Sequence, residues 1–180
     1  GELIPVAAID EAETASRLTP ATTLTHTDKG WHLSGAKHWI SAGASATHIT
    51  VLAQSADGLA WVLVPTAADG VECERFPTHD GRGGMNCRFD LLLEADHILL
   101  QGQPASDALE AYRALAMTLS SAETLGAKKS ALATTVDYTK QRVQFGQPLA
   151  SFQALQHRMS NMLIQTELTR SLIYAACNAA

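Results

Sequence analysis

The chain has no run of like charge, no apolar stretch of membrane-spanning length and no closely paired cysteines, and each absence removes a class of function. Thirteen Lys and Arg against eighteen Asp and Glu leave a net charge of −5 without a basic stripe. That balance argues against nucleic acid as the main partner, although a local basic pocket for a phosphate fits it. Cys73, Cys87 and Cys177 stand far apart and form no CxxC pair. An odd, scattered count predicts free, mostly buried thiols in a reducing compartment rather than a disulfide framework or a zinc site. The seven histidines are dispersed and HExxH is missing, so no metal centre is expected. The opening GELIPVAAIDEAE is acidic where a secretory signal would be basic. With no membrane-length apolar run, the expectation is a cytoplasmic protein without a membrane partner. Internal repeats and low-complexity segments are absent as well.

What is present divides the chain in two. With 180 residues, 46% of them hydrophobic, there is enough material for one sizeable core or two small ones. Segments 22–26, 30–33, 48–53, 60–64, 70–75 and 87–93 are short and rich in Val, Ile, Thr, Leu or Trp. Turn formers separate them, among them Asp28-Lys29-Gly30, Asp57-Gly58 and Asp69-Gly70. This punctuation predicts a compact antiparallel β-barrel or sandwich. From 106 to 145 turn chemistry nearly vanishes, and Leu109, Tyr112, Ala116 and Leu119 follow the spacing of one buried helical stripe. A helix of that length reaches ~50 Å and implies a bundle or a subunit interface. The expected fold class is α+β multidomain, with a β-domain over 1–103 and an up-down helical bundle over 104–180, joined in the stretch LLQGQP.

One sharp corner interrupts the helical half. Ala131, Leu132 and Val136 recur at helical spacing before it, and Phe152, Leu155, Met159, Met162 and Leu163 after it. Gly146 supplies a residue able to take positive φ at the end of the first helix, and Pro148 cannot continue that helix. Ser151 is placed as the N-cap of the second helix, with Gln153 in its first turn, where free N–H groups favour anions. Arg142, Gln144 and Gln153 thus converge either on a phosphate-rich ligand or simply on solvent. Continuing the first helical stripe past Leu119 lands on Glu123. It is either a carboxylate whose pKa burial would raise, suited to proton transfer, or an edge residue turned to water.

Two stretches resemble the acyl-CoA dehydrogenase family. Gly35-Ala36-Lys37-His38-Trp39-Ile40-Ser41 matches the G-x-K-x-W-I-[ST] segment of its middle β-domain. The stretch from Tyr138 through Arg142, Phe145, Gly146 and Leu149 to Gln153 matches its Y-x-x-x-R lead-in and R-x-x-F-G-x-x-[LI]-x-x-x-Q corner. Their order and separation also match, over about 150 residues. The resemblance implies FAD lying between a β-domain and a helical domain, in an oligomer, usually a dimer of dimers, whose neighbouring subunit completes the site. Trp39, Ile40 and Ser41 would then run beside the isoalloxazine ring, with the Ser41 hydroxyl near N5. Arg142, Gln144, Phe145 and Gln153 would serve the ADP half of a partner's cofactor. Acyl-CoA as substrate and an electron-transfer flavoprotein as electron acceptor follow from the same resemblance.

The chain also departs from the family pattern. Where relatives carry a T-E-P-x-x-G-S-D loop beside the phosphates, it has Ile9-Asp10-Glu11-Ala12-Glu13-Thr14-Ala15-Ser16, without the Pro and Gly and with an added charge at Glu13. The catalytic carboxylate of one subgroup lies ten residues before the glycine matching Gly126, and this chain has Ala116 there. In the other subgroup it lies past Ala180. Glu123 is therefore the candidate base within these residues. The family's N-terminal helical domain and last helices are expected to lie outside them. The readings that remain are a stretch of an FAD-dependent dehydrogenase, a non-catalytic structural partner in a heteromeric one, or another flavin reaction on the same scaffold, such as monooxygenation or nitroalkane oxidation.

Overall fold

Short hairpin turns dictate the first half of the molecule. Its computed structural model describes residues 3–12 and 19–179. Contacts along the chain divide it into Gly1–Leu109 and Glu110–Ala180. The first unit holds eight strands: β1 (Pro5–Ala8), β2 (Thr23–Thr27), β3 (Gly30–Ser41), β4 (His48–Ser55), β5 (Gly58–Pro65), β6 (Val71–Phe76), β7 (Gly84–Leu93) and β8 (Ile98–Gln101). Asp28 and Lys29 close the β2–β3 hairpin, with Thr27 paired to Gly30 and its hydroxyl donating to the Gly30 carbonyl at 2.8 Å. Ser55 pairs with Gly58 across the next two-residue turn, where Gly58 takes φ 107°. Both turns lie where the sequence placed them, because a two-residue hairpin needs residues that tolerate left-handed backbone.

The strands form one sheet in the order β6-β7-β3-β2-β4-β5-β8, with β1 paired to β4. That order corrects the expected barrel: the path ends at β6 and at β8, so the sheet is open rather than closed. It is also mixed, since β1 and β2 each run parallel to β4. Strand punctuation finds six of these eight strands, missing the short β1 and β8, and does not show which edges meet. Alternation does fix the core: Ile49, Val51 and Ala53 of β4 and Ala60, Val62 and Val64 of β5 face one cluster with Leu33, Ile40, Met85 and Phe89. On the opposite face the cross-strand pair Leu52 and Trp61 packs on Ala105 and Leu109, and the Trp61 indole donates to the Ala105 carbonyl at 3.1 Å. Burying each such side chain contributes roughly 1.5–3 kcal/mol. The first turns of the long helix α1 (Gln103–Gln141) thereby belong to the β unit.

The cysteine expectation is overturned. Register places Cys73 of the edge strand β6 directly opposite Cys87 of β7, and the two are joined as a disulfide with their Cα atoms 4.3 Å apart. Cys177 is free but exposed rather than buried. Spacing along the chain could not show this, because partners 14 residues apart meet only through the sheet register.

The second unit is a helical hairpin of α1 and α2 (Gln153–Ala179) running antiparallel. Thr139 of α1 meets Met159 of α2 at 3.4 Å, and farther along Lys128 donates to the Thr169 hydroxyl at 2.8 Å. Of the predicted stripe, Phe152, Leu155, Met159 and Met162 turn inward while Leu163 is exposed, and Thr139 and Thr166 are buried because each hydroxyl donates to a carbonyl one turn back. The stripe predicted on α1 is not buried within the unit. Tyr112 and Leu119 are exposed, as are Leu115, Met117, Leu168 and Leu172, because two helices cannot cover both faces of each other. No helix among the described residues is long and apolar enough to cross a membrane.

Candidate functional site

Residue parity along β3 decides what the first unit presents. Lys37 pairs with Cys87 and Ile40 with Met85, so His38 and Trp39 together oppose the single residue Asn86. This two-against-one bulge changes the inward and outward sense of the strand. In a regular ladder Lys37 and Trp39 would share a face; here Lys37 is fully buried, Trp39 is 72% exposed and Ile40 enters the core. Trp39 takes φ 55°, a left-handed backbone that costs a bulky residue about 1–2 kcal/mol. Both bulge N–H groups find acceptors outside the ladder: His38 donates to the Asp10 carbonyl at 2.8 Å, and Trp39 to the Asn86 carboxamide oxygen at 3.1 Å. The indole stands edge-on to the Phe76 ring, with centroids 5.3 Å apart and planes at 80°. Ser41, the last residue of β3, is exposed beside it.

Immediately before the bulge lies a buried ion pair. The Lys37 ammonium donates to Glu11 at 2.5 Å and to the Ile9 carbonyl at 3.2 Å. Glu11 also accepts the Thr22 hydroxyl at 2.7 Å and the backbone N–H groups of Ala21 at 2.7 Å and Thr22 at 3.1 Å. Burial alone would raise the Glu11 pKa, but these hydrogen bonds, Lys37 first among them, outweigh it and hold the carboxyl at about 2. Burial pushes the Lys37 ammonium down from its ordinary value, against the pull of Glu11. Together with the bond from His38 to Asp10, the pair clamps residues 9–11 along β3. Of the departing loop noted above, Ile9, Asp10 and Glu11 are therefore held in place, while Glu13, Thr14, Ala15 and Ser16 lie outside the described residues.

The corner in the second unit is a hairpin rather than a simple helix break. After α1 ends, β9 (Val143–Gln144) pairs with β10 (Gln147–Pro148) around Phe145 and Gly146, at φ 53° and 79°. Gly146 takes the positive φ expected of it, but within this two-residue turn and not as a helix cap. A short 3-10 turn, Leu149–Ser151, then leads into α2. Ser151 is consequently not the N-cap: the Phe152 carbonyl accepts the first helical bond, from Gln156 at 3.1 Å, because the 3-10 turn already uses Ser151. The Leu149 N–H donates to the Arg142 carbonyl at 2.8 Å and closes the base of the corner. Phe145 is 90% exposed at the tip, its ring T-shaped to that of Phe152, with centroids 6.2 Å apart. Among the described residues no side chain pairs with the Arg142 guanidinium, and Gln153 is exposed at the start of α2.

Arg142, Gln144, Phe145 and Gln153 thus share one exposed corner of the second unit, while Trp39 and Ser41 share an exposed strand end of the first. Ile40 sends its side chain into the core. Glu123 is exposed on α1. Sequence reasoning missed Asn86, Phe76 and Glu11. A lysine amid apolar strand residues does signal a buried anion, but nothing in the sequence marks Asn86 or Phe76.

Comparison with known proteins identifies the family. Residues 7–91 match the family model for the acyl-CoA dehydrogenase middle domain, and residues 108–180 match that for the C-terminal domain. The 3-sulfinopropanoyl-CoA desulfinase of Paraburkholderia xenovorans is 31% identical over 162 residues, covering 81% of this chain and 41% of that protein. The structure of a glutaryl-CoA dehydrogenase from Mycobacterium smegmatis in complex with FADH2 superposes with a TM-score of 0.82 at 26% identity, covering 96% of this chain and 46% of that one. The ChsE4-ChsE5 complex from Mycobacterium tuberculosis shares the fold, at a TM-score of 0.82 and 23% identity, over 99% of this chain and 47% of that one. The chain spans less than half the length of each of these relatives. It belongs to the acyl-CoA dehydrogenase family, matching it through the middle and C-terminal domains.

Proposed function

We propose that the chain is part of an FAD-dependent acyl-CoA dehydrogenase subunit, catalysing or supporting α,β-dehydrogenation of an acyl-CoA thioester. The observation that carries this reading is the Arg142 corner, an ordered hairpin offering a solvent-exposed guanidinium with no side-chain partner among the described residues and an exposed phenyl ring, whose apolar surface stays in water until a partner covers it. Those groups fit a pyrophosphate and an adenosine. The exposed Trp39 indole and Ser41 hydroxyl fit a flat heteroaromatic ring and its polar edge. When bound, FAD supplies the hydride acceptor. The protein's share is to bind and orient: Arg142 and Gln153 hold phosphate charge, Phe145 packs by the adenosine, Trp39 covers a ring face and Ser41 donates a hydrogen bond. We assign residues 1–103 to the β-domain and 104–180 to the helical domain. A soluble, cytoplasmic oligomer with related subunits, passing electrons to an electron-transfer flavoprotein, completes the proposal.

A second reading, a non-catalytic structural partner in a heteromeric dehydrogenase, is favoured by the chemistry of α1. Ala116 stands at the position matching the base of one subgroup, and Glu123 is exposed to water. The ChsE4-ChsE5 complex supplies a named precedent for pairing different subunits on this fold. A relative named as a desulfinase of a CoA thioester makes the acyl-CoA ligand class better supported than the dehydrogenation step itself. Co-expression with related subunits tests these readings. A yellow assembly bleached anaerobically by an acyl-CoA supports the first, and fewer flavins than chains supports the second. Arg142→Gln is expected to lower FAD retention by about tenfold, the worth of a charge-assisted bond. A colourless assembly, or unchanged retention in that variant, refutes the role of the corner.

A further inference from the structure

The Trp39 side chain faces outward only because the bulge persists, and the bulge is held by the His38 bond to the Asp10 carbonyl and, at Trp39 itself, by one side chain of the facing strand. Trp39 donates its N–H to Asn86, the single residue opposite the two bulged ones. Without that acceptor the N–H has no ladder partner, and a regular pairing would turn Trp39 toward the core and Ile40 toward water. The second restraint comes from the edge strand. Phe76 pairs with Gly84, and its ring lies so close over that glycine that a Cβ there would fall on the ring carbons. This seats the Phe76 ring against the indole edge. A carboxamide and a phenyl ring therefore define where the indole stands.

We propose that Asn86 is a positioning residue: its carboxamide oxygen fixes the left-handed backbone at Trp39 and, with the Phe76 ring as a lateral stop, holds the indole outward for the flavin ring. The flavin half of this statement rests on the function proposed above; the indole half stands on the strand geometry alone. Neither Asn86 nor Phe76 need touch the cofactor, since both act through Trp39.

The test uses Asn86→Ala, which removes the acceptor, and Asn86→Asp, which keeps it in the same shape. In the protein without flavin, the near-ultraviolet circular dichroism due to Trp39 is obtained as the difference between wild type and Trp39→Phe. Asn86→Ala is expected to abolish most of that signal and Asn86→Asp to preserve it, with both variants retaining the wild-type far-ultraviolet spectrum. In the assembly holding FAD, Asn86→Ala is expected to weaken FAD binding by about tenfold, or ~1.4 kcal/mol, and to shift the flavin band, while Asn86→Asp leaves both near wild type. An unchanged Trp39 signal in Asn86→Ala overturns the proposal, as does equal loss in the Ala and Asp variants. If the wild-type assembly takes up no FAD, the functional reading fails, and the Trp39 difference spectrum still decides the positioning role.

Discussion

Replacing Glu11 by Gln keeps the shape of the side chain and removes the charge that answers the buried Lys37 ammonium. In the native protein Glu11 titrates at about 2 instead of 4.5. A carboxylate whose pKa is depressed on folding contributes stability that is fully present above the unfolded value and is lost as pH falls through the folded one. The acid limb attributable to Glu11 therefore runs from about pH 4.5 down to about pH 2. At ~1.4 kcal/mol per pH unit, discounted for residual hydration, it is worth roughly 2–3 kcal/mol. Gln cannot reproduce that limb. It also leaves the buried Lys37 ammonium without its hydrogen-bonded counter-charge, with Asp10 acting through Coulomb attraction alone, a defect that costs up to about 3–5 kcal/mol near neutral pH. With its partner gone the ammonium pKa falls further, so the unfolded state binds the extra proton and the variant regains stability as pH rises toward the ordinary lysine value.

The assay is urea unfolding followed by tryptophan fluorescence at a series of pH values. Trp31, Trp39 and Trp61 all lie in the first unit, so the signal reports the sheet that contains the pair. The companion Lys37→Met, Glu11→Gln double variant is expected to recover most of the loss, because it removes the uncompensated buried charge while the new carboxamide oxygen still accepts from Thr22. Loss of less than ~0.5 kcal/mol in Glu11→Gln, with the acid limb intact, would refute the reasoning, since surface substitutions alone change stability by that much.

Three further expectations are independent of that pair. Gly35→Ala should destabilise the sheet by about 2–3 kcal/mol in the same unfolding assay, because at φ 145° the added Cβ lies 2.6 Å from Thr22 Cα. Under denaturing, non-reducing conditions one thiol per chain, that of Cys177, should react with iodoacetamide, and three after reduction, as mass spectrometry would count. Cys73→Ser should cost about 3 kcal/mol, the value for closing a loop of this length, and an unchanged midpoint would deny the link. Phe145→Ser should leave the unfolding free energy of the isolated chain within about 0.5 kcal/mol of wild type, since its ring buries almost nothing there, but weaken assembly with related subunits in analytical ultracentrifugation.

Much of this architecture was legible in the sequence because it depends on local signals. Two-residue turns at Asp28-Lys29 and before Gly58 set hairpins with their own backbone chemistry, and the long helix announced itself by a lack of breakers. Features set by pairing across the sheet were hidden. The Cys73–Cys87 link, the parallel strand β1 and the open edges at β6 and β8 all depend on register and strand order, which alternation does not encode. The corner illustrates both cases: Gly146 was placed in left-handed backbone, yet the helix start was misread at Ser151, because a 3-10 turn mimics a cap in sequence. Trp39 was readable as a candidate only through the family motif. Its exposure comes from a bulge, and a single extra residue leaves no periodic trace.

The turn at Phe145 and Gly146 has four ladder residues and its own hydrogen-bonded base, so its conformation owes little to either long helix. Under the function proposed above, changes at the tip would alter what the protein adheres to while leaving the hairpin of helices intact. Selection could then retune the choice of companion at this projecting loop, trading one associate for another without renegotiating the interior.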